Sequence, residues 1–317
     1  MKNILYFCPV CKERIDDNLY CIKCGIKFPT VKNIPILINE DNSIFCFNDY
    51  QEDNAYTFFG SKNKLSALKK MIPSTGFNYA AKENYALLSK KLLDKSANPL
   101  ILIIGGGVIG AGMDQLLNNK NIKFIHTDVS LTTHSQVICD AHDLPFKDET
   151  FDGVIVQAVL EHVVDPYRCV EEIHRVLTEE GIVYAETPFM QQVHGGAYDF
   201  TRFTWLGHRR LFRRFEEIQS GCCCGPGMAL ADSWYYFFRS FTQSKTILML
   251  LRVFSAFTSF FWKYFDYYLR RKPNALDASS GNYFMGIKKE NYLLPDKELI
   301  KLYHPDNRTS YKTTNLL

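Results

Sequence analysis

Four cysteines at the start of the sequence have the type and spacing of a metal site. They form two Cys-x-x-Cys pairs, CPVC and CIKC, and comprise Cys8, Cys11, Cys21 and Cys24. Two such pairs can surround one ion with the tetrahedral S4 shell that suits zinc. A unit this small cannot fold on its own core, so metal binding would supply its folding energy. Because four thiolates leave no open coordination position, the sequence predicts a structural Zn2+ ion.

A second candidate site is the glycine-rich turn that follows the apolar run LILII. Gly105, Gly107 and Gly110 fit the GxGxxG spacing, which permits a tight turn and a close approach of a ligand to the backbone. Asp128 ends the next apolar run, where its carboxylate can accept hydrogen bonds from ribose hydroxyls. These features alone fit a flavin or a nicotinamide cofactor as well as other adenosine-containing cofactors.

The sequence after this turn resembles the class I S-adenosylmethionine-dependent methyltransferases of the ubiquinone-biosynthesis-like type, methyltransferase type 11. The resemblance lies in CDAHDLPF (139–146), FDGVIVQAVLEHV (151–163) and EEIHRVLTEEGIVYAETP (171–188). It implies S-adenosylmethionine as the cofactor, with Asp140 beside the adenine. The cofactor-binding residues it implies are Gly105, Gly107, Gly110, Asp128, Asp140, Ala141 and Gln157.

The chain departs from this family at one position. The family usually has an acidic residue two positions before the first glycine of the turn, facing the methionine ammonium group, and this sequence has Ile103 there. We therefore expect backbone groups or another side chain to hold the amino-acid end of the cofactor.

The acceptor side of the reaction is expected after the fifth strand, in QQVHGGAYDFTRF (191–203). Methyl transfer from a sulfonium gains rate from positioning, and a general base is needed only for a tightly held proton. The segment resembles a family pattern that predicts His194 as a base, with Tyr198, Asp199 and Arg202 orienting the acceptor. The alternative for Asp199 and Arg202, three residues apart, is a local ion pair that shapes the loop. Glu161 and His162 either wall the cofactor pocket or have a structural role.

The elements that must position these residues are short apolar runs alternating with helix-length segments, as in a parallel sheet with crossover helices. The predicted fold is α/β, a Rossmann-like class I methyltransferase with a mostly parallel seven-stranded sheet. Helices are predicted at about 62–72 and 79–94, and a last strand at 281–289. The predicted divisions are a zinc ribbon (1–40), a linker with N-terminal helices (41–97), the methyltransferase domain (98–290) with a helical insertion at about 232–272, and a tail (291–317).

The insertion contains an unusually aromatic segment, residues 234–270. At helical spacing its polar residues form one narrow stripe, opposite a broad apolar face. The stripe consists of Lys245, Arg252, Ser255, Ser259, Lys263, Asp266 and Arg270, and the face of Ile247, Leu250, Phe254, Phe257, Phe261 and Phe265. Charges recur too often for a membrane span. The apolar face at 245–270 therefore meets a bilayer surface, a lipid-like acceptor, a second subunit in a homodimer, or the protein core.

Composition narrows the partners and the compartment. With a net charge of +3 and 46% apolar residues, the chain is expected to be globular and shows no specific signal for nucleic acid. The N-terminus has no signal-peptide pattern, so the cysteines are expected to be reduced thiols in the cytoplasm, peripheral at a membrane if the apolar face binds lipid. The segment CGIKFPTVKNIPILI (24–38) also resembles the small zinc-ribbon protein that partners methyltransferases.

These observations leave three functions to compare. The first is a methyltransferase that acts on oxygen of a glycan, a lipid-linked sugar or a small metabolite. The second is a nucleotide-dependent oxidoreductase, which the glycine turn alone allows. The third is a non-catalytic binding module, in which Ile103 marks a lost cofactor site.

Overall fold

The computed structural model describes residues 5–50 and 72–303, and its N-terminal part is a small module of two hairpins. The first hairpin pairs β1 (Tyr20–Cys21) with β2 (Ile26–Lys27), and the second pairs β3 (Thr30–Val31) with β4 (Ile34–Pro35). Each strand has only two residues, so the backbone ladders alone give this module little stability. Its compactness therefore depends on the cysteine cluster and on packing against the rest of the protein.

The main body is a seven-stranded sheet in the order β10-β11-β9-β8-β5-β6-β7. Its strands are β5 (Leu100–Ile104), β6 (Lys123–Asp128), β7 (Val137–Ile138), β8 (Phe151–Gln157), β9 (Leu177–Pro188), β10 (Phe215–Cys224) and β11 (Gly281–Lys288). β11 is antiparallel to both of its neighbours, whereas β5, β6, β7, β8 and β9 pair in parallel. The mostly parallel seven-stranded sheet of a Rossmann-like methyltransferase fold is thereby confirmed.

Helices cover both faces of the sheet, which explains why its strands are continuous apolar runs. The helices in this body are α1 (Ala81–Lys95), α2 (Asp114–Leu117), α3 (Pro166–Val176) and α4 (Trp205–Leu211). In α1, Leu88 and Leu92 are buried, as the predicted helix at 79–94 requires. The other predicted helix, at about 62–72, lies almost wholly outside the described residues.

The N-terminal module packs against the β7 edge of the sheet. The backbone N–H of Leu37 donates to the carbonyl of Ile138 at 2.8 Å, and Ile36 pairs with Ile138 as a parallel bridge. Lys12 adds a 2.9 Å ion pair with Glu172 of α3. Residues 41–50, expected to belong to a linker, also lie against the domain, because the hydroxyl of Tyr50 donates to the carbonyl of Val129 at 2.7 Å.

The insertion between β10 and β11, expected to be helical at about 232–272, contains three helices. They are α5 (Pro226–Arg239), α6 (Lys245–Ser259) and α7 (Trp262–Leu269), and α6 and α7 meet at a 49° bend. In the described part of the chain, no single helix has the length and apolar character of a membrane span, although the bent pair passes that test jointly. A last helix, α8 (Asp296–Lys301), follows β11.

The polar stripe of the insertion is buried at Ser255, Ser259, Asp266 and Arg270 and exposed at Lys245 and Arg252, whereas its apolar face points outwards. Ser259 and Asp266 are completely buried, whereas Leu250 and Phe265 are 60% and 61% exposed. The carboxylate of Asp266 accepts hydrogen bonds from the N–H groups of Gly227 (2.7 Å) and Met228 (2.9 Å). Those two groups lie in the first turn of α5, where they have no partner within the helix. The buried aspartate thus caps α5, which is why the polar side turns inwards.

Candidate active site

A cavity of about 930 Å3 lies at the carboxyl ends of β5, β6, β8 and β9. This is the edge at which open α/β sheets bind their ligands. The predicted cofactor residues that border it are Gly105, Gly110, Asp128, Asp140, Ala141 and Gln157. Gly107 does not border the cavity. At the other end the cavity reaches His162, Gln191 and His194.

The glycine turn after β5 has no space for side chains. Gly105 has a φ of +70°, and a Cβ atom there would lie 2.3 Å from Val159. A Cβ atom at Gly110 would lie 1.7 Å from Oε1 of Gln157. Glycine is therefore required both for the backbone conformation and for the close approach of the turn to β8.

Asp128 ends β6 and is held by backbone N–H groups. Its Oδ2 accepts from Gly107 at 2.9 Å and its Oδ1 from Ser130 at 2.7 Å. Burial raises the pKa of this carboxyl, and the two backbone donors oppose that shift. Each oxygen keeps a second lone pair that can accept from a hydroxyl in the cavity. Its position fits the predicted ribose contact.

Asp140 borders the cavity but is already bound by protein groups. Its Oδ1 accepts from the backbone N–H of His142 at 3.0 Å and lies 2.5 Å from Nδ1 of the same residue. Its Oδ2 accepts from the hydroxyl of Ser43 at 2.5 Å. Burial would raise the pKa of Asp140, but the contacts with His142 and Ser43 lower it below its ordinary value. Asp140 is therefore a charged group in the wall of the cavity.

The segment after the cysteine module forms part of the same wall. Ile44 and Phe45 border the cavity, and the Phe45 ring stacks on Tyr198 with centroids 5.8 Å apart. Asn39 donates to Asp143 at 3.0 Å and so ties the segment to the loop after β7. Sequence reasoning missed this wall, because nothing in residues 39–45 resembles a binding motif.

A network of polar side chains lies opposite the glycine turn. Glu186, at the end of β9, borders the cavity and accepts from Nδ2 of Asn78 at 2.8 Å and from Nε2 of Gln157 at 2.7 Å. The hydroxyl of Tyr184 also donates to Glu186, and that of Tyr85 donates to Gln157 at 2.9 Å. Burial raises the pKa of Glu186, while its three donors stabilise the ionised form. Sequence reasoning missed Glu186, and its place at the carboxyl end of a central strand was the available signal.

The loop after β9, residues 189–204, contains the four predicted acceptor-side residues, of which His194 alone borders the cavity. Asp199 accepts from Nη1 of Arg202 at 2.5 Å and from the backbone N–H of His194 at 2.8 Å. Burial would raise the pKa of Asp199, but the bond from Arg202 and the backbone donors hold it well below its usual range. Arg202 also donates to the carbonyl of Gln191 at 2.8 Å.

This arrangement differs from the predicted roles of Tyr198, Asp199 and Arg202 as groups that orient the acceptor. Asp199 and Arg202 form the local ion pair that was the alternative, and they brace the 189–204 loop because their polar atoms are bound to each other and to its backbone. Tyr198 faces Phe45 instead of the cavity. In this structure Asp199 and Arg202 contact His194.

Glu161 and His162 follow β8 and lie below the 189–204 loop. Oε1 of Glu161 is 3.7 Å from Nε2 of His162 and 3.8 Å from Nε2 of His194. Burial raises the pKa of Glu161 to about 8, against the weaker effects of its own backbone N–H and of Arg202. Glu161 and His162 are 32 or more residues from His194 in sequence, so their approach depends on the fold.

The four N-terminal cysteines come together as predicted. One ligand atom from each of Cys8, Cys11, Cys21 and Cys24 lies within 4.8 Å of the others, and the sulfurs of Cys11 and Cys21 are 3.5 Å apart. The donor set is four thiols in two tight turns, which fits a tetrahedral zinc ion. Bound zinc would hold the two turns together.

Comparison with known proteins supports a methyltransferase domain. Residues 110–185 match a family model described as a methyltransferase domain. The human mitochondrial arginine-hydroxylase NDUFAF5 is 32% identical over 133 residues, 38% of this chain and 38% of that protein. The demethylmenaquinone methyltransferase of Clavibacter sepedonicus is 34% identical over 96 residues, 29% of this chain and 34% of that protein. The chain thus spans little more than a third of the length of these relatives.

Among solved structures, the complex of the Haloferax volcanii Trm112 methyltransferase activator with a methyltransferase is similar at 16% identity and a TM-score of 0.40. The match covers 67% of this chain and 94% of that chain. The family model and the sheet order both support a methyltransferase domain, similar to those that use S-adenosylmethionine.

Proposed function

We propose that this protein binds S-adenosylmethionine and transfers its methyl group to oxygen of a glycan, a lipid-linked sugar or a small metabolite. The observation that carries the proposal is the single cavity of about 930 Å3, which joins the glycine turn and Asp128 at one end to His194 at the other. A cofactor and its acceptor must meet in one such space, because methyl transfer is an in-line displacement that depends on positioning.

The cofactor end contains groups suited to each part of S-adenosylmethionine. Asp128 would accept hydrogen bonds from the ribose hydroxyls, and the backbone near Asp140 and Ala141 would contact the adenine. The turn from Gly105 to Gly110 would lie against the amino-acid end. S-Adenosylmethionine, when bound, supplies an electrophilic methyl group on a positively charged sulfur.

We further propose that Glu186 replaces the acidic residue that is missing at Ile103. Ile103 is 3% exposed and packs in the apolar core. Glu186 borders the cavity and is oriented by Asn78, Gln157 and Tyr184. The three donors oppose the rise in pKa that burial causes at Glu186, and the positive charge of the methionine ammonium group would lower that pKa further.

At the acceptor end, the proposal gives His194, which borders the cavity, the role of receiving a proton from an acceptor hydroxyl if no metal ion activates that hydroxyl. Its backbone N–H is held by Asp199, which is itself fixed by Arg202. An alcohol holds its proton tightly, so oxygen methylation needs a route for that proton, whereas positioning alone suffices for a softer nucleophile.

The first experiment is calorimetric titration of the zinc-loaded protein with S-adenosylmethionine and, separately, with NAD. We expect micromolar binding of S-adenosylmethionine, weakened at least tenfold by Asp128→Ala, and no binding of NAD. The matched control is Asp94→Ala, an exposed residue of α1 that does not border the cavity. Because one relative is named a hydroxylase, methylated product must also be detected directly by mass. If S-adenosylmethionine does not bind, a non-catalytic module is favoured. If NAD binds, an oxidoreductase is favoured.

We also propose that the apolar face of α6 and α7 binds the surface of a lipid bilayer, which would bring a lipid-linked acceptor to the cavity. The face is exposed at Ile247, Leu250, Phe254, Phe257, Phe261 and Phe265. A soluble domain normally buries such a face, whereas here much of the polar side is buried in its place. Exposed cations at Lys245 and Arg252 would attract anionic lipid headgroups. A homodimer through this face is the competing outcome.

A further inference from the structure

Glu161 is a buried carboxylate that lacks the contacts such a group normally has. Its side chain is 1% exposed. Within the described residues, neither Oε1 nor Oε2 accepts a hydrogen bond from another residue. A buried polar group without a partner costs about 1–3 kcal/mol, and a charged one more. The surroundings of Glu161 therefore call for a group that carries positive charge.

The two histidines beside Glu161 turn their Nε2 atoms towards it. Nδ1 of His162 lies 2.6 Å from the carbonyl oxygen of Tyr198, so this nitrogen carries the proton and Nε2 carries the lone pair. Nδ1 of His194 lies 3.3 Å from the carbonyl oxygen of Gln192 and 3.6 Å from Asp199, with Arg202 at 3.5 Å. The contact with Tyr198 sets the tautomer of His162, whereas in His194 the guanidinium of Arg202 can only donate to Nδ1 and so opposes the effect of the Gln192 carbonyl. A carbonyl or carboxylate on one ring nitrogen is the usual support of a histidine that binds metal through the other.

We propose that Glu161, His162 and His194 bind a divalent transition-metal ion at the acceptor end of the cavity. One ligand atom from each residue lies within 4.8 Å of the others. The 3.7 and 3.8 Å distances from Glu161 to the two imidazole nitrogens exceed by a few tenths of an ångström the ~3.3 Å between two ligands of a tetrahedral ion with bonds of ~2.0–2.1 Å. A small rotation of the exposed His194 ring would close its own gap, and a small shift of the Glu161 carboxylate would close the gap to His162.

The ligand set indicates the class of ion and its open positions. Two imidazoles and one carboxylate suit Zn2+, Fe2+ or Co2+ better than Mg2+ or Ca2+, which prefer oxygen ligands. Three protein ligands leave at least one position for an oxygen from the cavity. The site thus differs from the four-cysteine cluster, in which every position would be filled.

This inference rests on the proposed function for its chemical meaning, because the open position would take the acceptor hydroxyl. Bound to the ion, that hydroxyl would lose its proton to water, and its oxygen would form the new bond to the methyl carbon. The electron pair of the broken carbon–sulfur bond would stay on sulfur. His194 would then act as a ligand and not as the base.

The test is titration with Co2+ of protein that carries one zinc ion per chain, at the cysteines, after a mild chelator has removed any further zinc; binding is followed by visible absorption. Co2+ held by nitrogen and oxygen gives ligand-field bands, whereas Co2+ that displaces zinc from the cysteines adds thiolate charge-transfer bands in the near ultraviolet. We expect one equivalent with ligand-field bands alone, lost in Glu161→Gln and in His194→Ala. Tyr167→Phe, on the exposed side of α3, is the control that should keep them.

Two results would overturn the proposal: no binding of Co2+, or thiolate bands alone that persist in both variants. Glu161 is buried, so its variant needs a folding check by circular dichroism, and His194→Ala on the exposed loop keeps the test valid if Glu161→Gln unfolds. S-Adenosylmethionine binding is measured on the same samples. Loss of Co2+ binding with cofactor binding retained separates the metal site from the methyltransferase proposal.

Discussion

The hydroxyl of Ser43 lies 2.5 Å from Oδ2 of Asp140 and donates a hydrogen bond to it. Ser43 belongs to the segment after the cysteine module, whereas Asp140 follows β7 and borders the cofactor cavity. The N-terminal module is thereby connected to the wall of the active site by a charge-assisted hydrogen bond, the stronger class of such bonds.

Ser43→Ala should weaken cofactor binding without unfolding the protein. The change removes one of the donors that hold Asp140, and a lost hydrogen bond to a charged group is worth about 1.5–3 kcal/mol, part of which would appear in binding. We expect affinity for S-adenosylmethionine to fall about three- to tenfold, since 1.4 kcal/mol is tenfold. Calorimetry measures this, with Ser244→Ala at the start of α6 as the control. Equal affinities would mean that Asp140 is held well enough by His142.

Removal of one cysteine ligand should affect the active site as well as the module. Cys21→Ser leaves three thiolates, so metal binding and the fold of residues 5–38 should be lost. Because the following segment contributes Ile44 and Phe45 to the cavity, we expect affinity for S-adenosylmethionine to drop at least tenfold. Metal analysis and calorimetry test this, and Cys46→Ser, outside the cluster, should behave as wild type. A variant without zinc but with full affinity would show that the module acts separately.

Glu186→Gln distinguishes the amino-acid end of the cofactor from its nucleoside. The substitution keeps the shape but removes the charge proposed to face the ammonium group. We expect affinity for S-adenosylhomocysteine to fall about ten- to a hundredfold, a loss of about 1.4–2.7 kcal/mol. Affinity for methylthioadenosine, which lacks the amino-acid group, should stay within about twofold. Equal losses for both ligands would point to a general disturbance of the Asn78–Gln157 network.

Acid should destabilise the protein through His208. This ring is completely buried in α4, and burial lowers its pKa from 6.5 to about 3. The unfolded chain therefore binds a proton that the folded one does not, so stability is complete above about pH 6.5 and is lost as the pH falls towards 3. For one such group the loss between pH 7 and pH 5 is about 2 kcal/mol.

His208→Leu removes this titrating group, so the free energy of unfolding should depend less on pH than in the wild type. Denaturant unfolding at pH 7 and at pH 5 measures it, and the exposed His134→Leu serves as the control. If the variant and the wild type lose the same stability between the two values, His208 is not the group responsible, and His174, whose pKa burial lowers to about 4, becomes the candidate.

The outward apolar face predicts binding to vesicles. Leu250→Asp together with Phe257→Asp should reduce partitioning onto anionic vesicles at least tenfold, because burial of each side chain contributes about 1.5–3 kcal/mol. Cosedimentation measures this partitioning, and Ile22→Asp, a more exposed apolar residue on the cysteine module, should have no effect. If vesicles do not bind and the wild type sediments as a dimer that these changes dissociate, a second subunit covers the face.

Much of the fold was predictable because its signals are local. The apolar runs ending in Ile104, Asp128 and Gln157 marked three central strands, and the last strand at 281–289 lies within one residue of β11. The paired Cys-x-x-Cys turns predicted the convergence of their sulfurs for the same reason. In each of these cases, the residues that form the pattern lie close together in the sequence.

The contacts that decide the site are not local. Glu186 meets Asn78, 108 residues earlier, and Glu161 meets His194 across two elements. Neither pair could be predicted from a periodic pattern or a sequence motif. Each contact depends on the order in which strands and loops meet at the edge of the sheet. Asp199 and Arg202, three residues apart, had a local signal, and the structure has the ion pair that this spacing indicates.

The sequence by itself determined which residues of 245–270 are polar and which are apolar, as well as the strands, the glycine turn and the cysteine pairs. The tertiary structure alone decided which side of that segment faces the protein. An amphipathic pattern specifies two faces but not their direction, because that depends on the partner each face meets. The N–H groups in the first turn of α5 have no partner within the helix, and two of them donate hydrogen bonds to Asp266. These two bonds hold the polar side of the segment inwards, so the apolar side is left exposed.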